Sequence, residues 1–353
     1  MKNKRLSYKG QTSFSILSLL FLFVTDYVHC QQLPYFSACR ENWVLLNPAF
    51  LNHFHLEDVS RSMLINFSRR DQMLGFEGRP QQSHARFENI ISGKKNGASN
   101  MPKMKWGLGL ENESLGSNSS SGLFANYAYM FKLNANTFIS AGLTLSFSNH
   151  SNNLNPLSFK EEENAEVSES LNGIRQVGKA DVGIFIKHKM KNKNSKIDHL
   201  YAGLSSLQIS SIYFSQIDKM ESIKKPHFNL LAGAIIGDIG KGGIIGTYWE
   251  PTIWIRYLPK ATFLLLNSQN INVPISIDFS IRYFLKGKIW LGGGIGTSGN
   301  INFETGYSIY NPNKKKDWSI PKIKTGILCN LPVLGTNSGY SLEAFVGIGL
   351  ASY

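Results

Sequence analysis

The chain has 353 residues, with 37 lysines and arginines against 24 aspartates and glutamates, a net charge of +13, and 42% hydrophobic residues. That is too apolar for a disordered chain, and three cysteines are too few for a disulfide framework. A mean hydropathy of -0.15 is what a chain with apolar residues at every second position would give, so composition does not exclude a protein that crosses a membrane with strands.

Residues 1–30 have the three-part layout of a secretory signal. Lys2, Lys4, Arg5 and Lys9 make a basic start, Phe14 to Val24 is an apolar stretch too short to span a bilayer, and Val28 and Cys30 supply small residues before a cleavage site. Cleavage would leave Gln31 first; a lipid anchor on Cys30 fits less well, because His29 stands where a small residue is expected. Loss of four basic residues and Asp26 takes the charge from +13 to +10. On an exported chain this suits an anionic lipid surface, an acidic protein partner or solvated loop lysines, and argues against nucleic acid.

Residues 31–60 form a leading segment in which a short helix is expected from Ser37 to Leu46, stopped by Pro48. Cys39 lies in this segment and Cys329 in a candidate strand, so they read as two unrelated buried thiols rather than as a bond. His53 and His55, with Glu57 and Asp58 nearby, form a small cluster that reads as polar residues near a rim rather than as a metal site.

From residue 61 to residue 353 the pattern has a period of two, the mark of strands with one apolar face. The cleanest segments carry Leu123, Ala125, Tyr127, Tyr129 and Phe131; Ile139, Ala141, Leu143, Leu145 and Phe147; Ala180, Val182, Ile184 and Ile186; Phe228, Leu230, Ala232, Ala234 and Ile236; Ile275, Ile277, Phe279, Ile281 and Tyr283; and Leu342, Ala344, Val346, Ile348 and Leu350. Weaker segments are Met63 to Ser68, His84 to Glu88, Trp106 to Glu111, Leu200 to Gln208, Ile244 to Tyr257, Ile289 to Gly296, Ile301 to Tyr310 and Ile323 to Asn330. Connectors range from the tight Gly237 to Lys241 to the long polar Asn149 to Gly178, whose acidic run Glu161, Glu162, Glu163 and Glu166 reads as a solvated external loop.

The expected fold is therefore all-β: a transmembrane outer-membrane β-barrel of about fourteen antiparallel strands behind a short helical or extended N-terminal segment. The final strand would pair with the first to close the ring. Tyr353 breaks the parity of that strand. Tyr127, Tyr129 and Phe131, and likewise Trp249, Trp254 and Tyr257, suggest an interfacial girdle. The strand faces opposite the apolar ones read as mostly Gly, Ser and Asn, compatible with a narrow pore or a filled barrel.

Catalytic signals are absent. Gly294, Gly296 and Gly299 spell G-x-G-x-x-G, but an alternating stretch follows where a dinucleotide site needs a helix, and neither H-E-x-x-H nor G-x-S-x-G occurs. No enzyme activity, cofactor or metal is expected. A barrel hydrolase, with Ser, His and an acid meeting across strands, is the least favoured reading.

QQLPYFSACRENWVLLNPAF, from Gln31 to Phe50, joins a Gln-led start to Asn47, Pro48 and Ala49, and in order follow SRRDQMLGFEGRP, WGLGLENESLG, ANYAYMFKL, ISAGLTLSF, ADVGIFIKH, YAGLSSLQI, EPTIWIRY and TGYSIYN. This ordered set resembles the PorP/SprF family, outer-membrane proteins of the type IX secretion and gliding system. It departs from the family's pattern at Met73, Glu113 and Asn311. The resemblance implies a non-enzymatic barrel that works with the type IX translocon in exporting, or holding at the cell surface, large adhesin-like cargo with a C-terminal secretion domain. It implies Asn47, Pro48, Ala49, Gly107, Gly109, Asn112, Pro251, Tyr307 and Glu343 as partner-binding or barrel-bracing residues. A porin-like diffusion channel is the alternative.

Overall fold

The computed structural model describes residues 39–50, 61–92, 103–116, 118–152, 173–190, 196–213, 226–237, 246–257, 262–264, 270–272, 275–297, 300–309, 322–332 and 340–351. The expected signal, the His53 and His55 cluster, the tight connector after Gly237, the acidic run from Glu161 to Glu166 and Tyr353 lie outside the described residues.

The strands are β1 (Arg61–Gln72), β2 (Gln81–Ser92), β3 (Lys103–Leu115), β4 (Asn118–Lys132), β5 (Thr137–Asn152), β6 (Gly173–Lys189), β7 (Ile197–Tyr213), β8 (His227–Gly237), β9 (Tyr248–Tyr257), β10 (Thr262–Leu264), β11 (Asn270–Asn272), β12 (Ile275–Leu285), β13 (Ile289–Gly296), β14 (Asn300–Ile309), β15 (Ile323–Pro332) and β16 (Ser341–Ala351). All but β10 and β11 form one closed antiparallel barrel, in which each strand pairs with its sequence neighbours and β9 pairs with β12. β10 and β11 make a separate two-stranded sheet. β16 closes the ring on β1, from Ser62 opposite Ala351 to Gln72 opposite Ser341. The barrel's first and last strands therefore start and end at one rim, here the near rim. The connections β1–β2, β3–β4, β5–β6 and β7–β8 lie at the far rim.

The alternation puts one residue set outside. Leu123, Leu145, Leu204 and Leu291 are each more than half exposed, among a belt of outward Leu, Ile, Phe, Tyr and Val on every long strand. Such a belt would make a water-soluble protein aggregate, whereas it is the lipid-facing surface of a membrane barrel, and closure leaves no unpaired strand edge in the hydrocarbon. Among the described residues no helix is long and apolar enough to cross a membrane.

β4 to β7 run 15 to 17 residues, more than the 9–11 or so that a tilted strand needs to cross. Their surplus lies toward the far rim, where outward positions turn from Leu and Phe to Ser119, Ser121 and Asn149. The long connector expected from Asn149 to Gly178 is shorter by this extension, since Asn149–Asn152 belong to β5 and Gly173–Gly178 to β6. Several short segments lengthen in the same way, β1 to Arg61–Gln72 and β3 to Lys103–Leu115, because backbone pairing continues after hydrophobic alternation fades. β9 begins at Tyr248 rather than Ile244.

Two further expectations are corrected. Trp254 is buried in the lumen, where its indole N–H donates to Asn229 (3.2 Å), while Trp249 and Tyr257 face outward. Trp254 is an odd number of residues from both, so a strand must put it on the other face. The inner faces are also far more charged than Gly, Ser and Asn: Arg70, Arg86, Glu88, Lys105, Glu250, Arg282, Glu304 and Glu343 are all buried there. G-x-G-x-x-G resolves as strand, since Gly294 and Gly296 belong to β13.

Candidate functional site

Residues 39–50 lie inside the barrel as a plug. A 3-10 turn, Arg40–Asn42, runs into a single helical turn, α1 (Trp43–Leu46), shorter than the Ser37 to Leu46 helix expected. Asn47 is extended (φ -140, ψ 108) while its N–H still donates to Trp43 O (2.8 Å). Pro48 enforces this, because its ring crowds the preceding residue out of helical φ/ψ. The Asn47 carboxamide oxygen then accepts from Ala49 N (2.9 Å) and Phe50 N donates to Asn47 O (2.9 Å), so Asn-Pro-Ala is a closed turn.

That turn sits on glycines. A Cβ on Gly142 of β5 would fall within 2.5 Å of Ala49 N and inside contact distance of the Pro48 carbonyl. On Gly203 of β7 a Cβ would lie 2.6 Å from Asn47 Nδ2, and on Gly183 of β6 it would strike the Asn47 carboxamide. Gly142 and Gly183 are register partners. Three neighbouring strands therefore give up side chains to admit one turn. Around it the wall supplies the donors that the plug's carbonyls need: Ser140 Oγ to Ala49 O (2.7 Å), Ser205 Oγ to Leu46 O (2.5 Å), Asn126 Nδ2 to Pro48 O (3.2 Å) and Lys105 Nζ to Phe50 O (2.5 Å). Asn47 Nδ2 donates to Ile184 O (3.1 Å) on the wall. These bonds answer the rule that a buried backbone carbonyl needs a partner.

Ion pairs fasten the other half. Arg40 pairs with Glu250, which also accepts from Tyr201 Oη (3.0 Å); Lys324 pairs with Glu41; Asn42 Nδ2 donates to Glu343 (2.7 Å); and Arg86 donates to Asn42 Oδ1 (3.1 Å) and to Glu41 O. Burial by itself would raise the Glu41 carboxyl, but the charge and hydrogen bond of Lys324, with Arg282 and Arg40 adding to them, bring it down to about 2. Burial, reinforced by the negative Glu343, pushes the Cys39 thiol up. Apolar packing completes the seat: Trp43 meets Phe50 edge-on (5.4 Å), Phe50 meets Phe185 (5.3 Å), and Phe185 stacks on Tyr201 (6.0 Å).

Of the residues singled out from the sequence, Asn47, Pro48 and Ala49 are the turn itself, and Glu343 is fully buried beneath Asn42. Gly107 and Gly109 face the lumen, where a Cβ on the first would lie 2.9 Å from Phe87 O and one on the second would run into the Phe124 ring. Asn112, Pro251 and Tyr307 are elsewhere, with side chains outside the barrel; Asn112 accepts from Ser121 Oγ (2.8 Å). Cys39 is buried in the plug while Cys329 points outward from β15, so the wall separates the two free thiols. The plug's wall partners, among them Gly142, Gly183, Lys105, Arg86, Glu250 and Lys324, form no linear motif. Only the buried parity of single charges such as Glu343 within an alternating strand could have flagged them.

Comparison with solved structures finds similarity to the TodX deltaS2S3 mutant monoaromatic hydrocarbon channel (10% identity over 90% of this chain and 95% of that chain, TM-score 0.49). The Pseudomonas putida toluene transporter TodX is similar at 8% identity (89% and 94% covered, TM-score 0.46), as is the translocator domain of autotransporter NalP from Neisseria meningitidis (8% identity, 84% and 89% covered, TM-score 0.40). No curated protein matches the chain. Type IX secretion system membrane protein PorP/SprF matches residues 28–326, a span that takes in the plug and runs into β15, and the chain therefore belongs to the PorP/SprF family, as an outer-membrane β-barrel.

Proposed function

We propose that this barrel is a non-enzymatic component of type IX secretion that assists the export or surface attachment of large adhesin-like proteins, binding their C-terminal domain, the translocon, or both. Family membership supports the secretion role. The observation that carries the choice between scaffold and pore is the seated plug: residues 39–50 lie across the lumen on ion pairs and hydrogen bonds to six or more wall strands. A channel for free diffusion needs an open, hydrated path. In this reading Asn47, Pro48, Ala49, Gly107, Gly109 and Glu343 brace the barrel from within. Asn112, on the extended outer wall of β3 and β4, together with Pro251 and Tyr307, belongs to the surface that meets lipid or partner.

The far rim is the cell-surface side, since outer-membrane barrels carry their longer connections there and residues 153–172 separate β5 from β6 at that rim. The test is gentle extraction of native outer membranes from cells carrying a tag in that connection, followed by mass spectrometry of what co-purifies. A large secreted protein or translocon subunits are expected. Recovery of the barrel alone, combined with stepwise conductance of the pure protein in planar bilayers, would overturn the secretion reading in favour of a diffusion channel.

A further inference from the structure

The outer wall carries a groove of about 440 Å³ across β16, β1, β2 and β3, on both sides of the seam that closes the ring. It opens because Ala85 and Ala344 are short where Phe67, Leu110 and Val346 stand out. Phe67 lies opposite both Ala85 and Val346, and Ala85 opposite Leu110, so this part of the groove is apolar. Two residues along each strand toward the far rim, Arg69, Ser83 and Asn112 lie opposite one another and line the same groove. The groove is thus apolar toward the middle of the wall and polar and cationic at its far end, and the change marks the level at which hydrocarbon gives way to head groups.

The charge at that end supplies the independent observation. Among the strand side chains described, Arg69 is the one Lys or Arg that faces outward, and its side chain is 58% exposed. A base on the lipid-facing wall is costly unless it sits at the interface beside an anion. Asp71 accepts from Arg69 Nε (2.9 Å) and Nη2 (3.2 Å), and the same carboxylate lies 3.5 Å from Arg79 Nε. Two guanidinium groups therefore share one acid, and Glu77 of the same hairpin pairs with neither. A positive charge is left over, with Arg69 Nη1 available to a further acceptor. Asn112, which the plug leaves unexplained, stands at the same level; its oxygen accepts from Ser121 Oγ (2.8 Å), so its amide N–H groups are the free end. Guanidinium forks and amide N–H groups at one height suit the oxygens of a phosphate.

We propose that this groove holds a phosphorylated glycolipid of the outer leaflet, with an acyl chain lying on Ala85 and Ala344 and a head-group phosphate on Arg69, Arg79 and the Asn112 amide. A soluble anion has no use for the apolar part, and a neutral lipid has none for the arginines; an anionic lipid matches both ends of one groove. The choice of leaflet rests on the orientation given above, in which the far rim is the cell-surface side. The site does not depend on the secretion role.

The experiment is native mass spectrometry of the full barrel, stripped of lipid in detergent and titrated with monophosphoryl lipid A or with the same lipid after enzymatic removal of its phosphate. Saturable retention of a single phosphorylated lipid per barrel is expected, with binding weaker by roughly tenfold or more for the dephosphorylated lipid, for Arg69→Gln with Arg79→Gln, and for Ala85→Phe, which fills the groove. No retention, equal retention of the two lipids, or unchanged affinity in both variants would overturn the proposal. Should a variant fail to form the heat-resistant barrel, the two lipids compared on the native chain decide alone. Barrel purified from native membranes without added lipid identifies the source: phosphorylated glycolipid is expected, and inner-leaflet phospholipid alone would overturn the assignment. If Ala85→Phe instead keeps its lipid and loses a co-purifying cargo or translocon subunit, the groove is a protein interface, and the proposal falls while the secretion role stands.

Discussion

Replacing Gly142 by alanine tests whether the glycine cradle holds the plug. The new Cβ would stand 2.5 Å from Ala49 N and closer still to the Pro48 carbonyl, and since the obstacle is backbone, no rotamer change relieves it. The turn must lift, loosening the bonds from Ser140 to Ala49 O (2.7 Å), from Asn126 to Pro48 O (3.2 Å) and from Asn47 to Ile184 O (3.1 Å). At about 1 kcal/mol for each neutral bond the loss is about 3 kcal/mol, or roughly a hundredfold in the equilibrium between seated and released plug. Cys39, fully buried in the plug, is the reporter. Its maleimide labelling, read at the Cys39 peptide by mass spectrometry, tracks the population of the released form when reseating is fast. Gly293→Ala is the control, because a Cβ there meets nothing nearer than 3.4 Å. Labelling should rise roughly a hundredfold in Gly142→Ala and stay at the native rate in Gly293→Ala. Equal rates in all three proteins would refute the idea that these glycines exist to admit the turn.

Two more outcomes follow from the same seat. Glu41 is held at about 2 against an ordinary 4.5; a folded value below the unfolded one gives stability that is complete above 4.5 and lost as pH falls through 2. The protection factor of the Glu41 to Leu46 amides, the intrinsic exchange rate at each pH over the observed one, should therefore hold down to about pH 5 and fall between pH 4.5 and 2, and Glu41→Gln should flatten that window. On β3 of the same lumen wall, Gly109→Val would drive a side chain into the buried Phe124 ring. Overpacking of this kind costs about 1–3 kcal/mol, visible as a lower temperature for the loss of heat-resistant mobility on a gel.

The barrel was legible because lipid imposes its period directly on the sequence: Ile139 to Phe147 and Leu342 to Leu350 must alternate if the outward face is to be apolar. The same period carried the closing pair of β1 and β16. What lies inside was less visible, for a physical reason. A lumen residue answers to a plug atom that can be hundreds of positions away in the chain, as Glu343 does to Asn42 or Lys324 to Glu41, and no local period encodes that distance. Asn47, Pro48 and Ala49 could be found since a turn needs its residues together, but the glycines beneath them come one from each of three strands. Trp254 could have been assigned inward by counting, as its odd spacing from Trp249 requires.

The kind of anchoring bears on whether the plug is a permanent core or a removable part. Arg40, Glu250 and Tyr201 form a buried cluster in which removing one partner strands the others. Glu250→Ala should therefore cost about 3–5 kcal/mol. Replacing the cluster as a whole by apolar side chains of similar volume, Arg40→Met with Glu250→Leu and Tyr201→Phe, removes the desolvation of both charges and is neutral or stabilising by about 1–4 kcal/mol in comparable buried pairs. The asymmetry has a functional meaning. A charged wall is solvated readily when the plug leaves and water enters, whereas an apolar wall is not, so the triple variant raises the free energy of the released state relative to the seated one. Cys39 should label more slowly than in the native protein, and the faster labelling expected of Gly142→Ala should be suppressed when the triple is added. If secretion needs the plug to move, cells carrying the triple variant lose cargo export while assembling a normal barrel. Full export by a barrel with demonstrably slower Cys39 labelling would instead make the plug a fixed brace, and would shift the work of partner binding to the outer wall and the far rim.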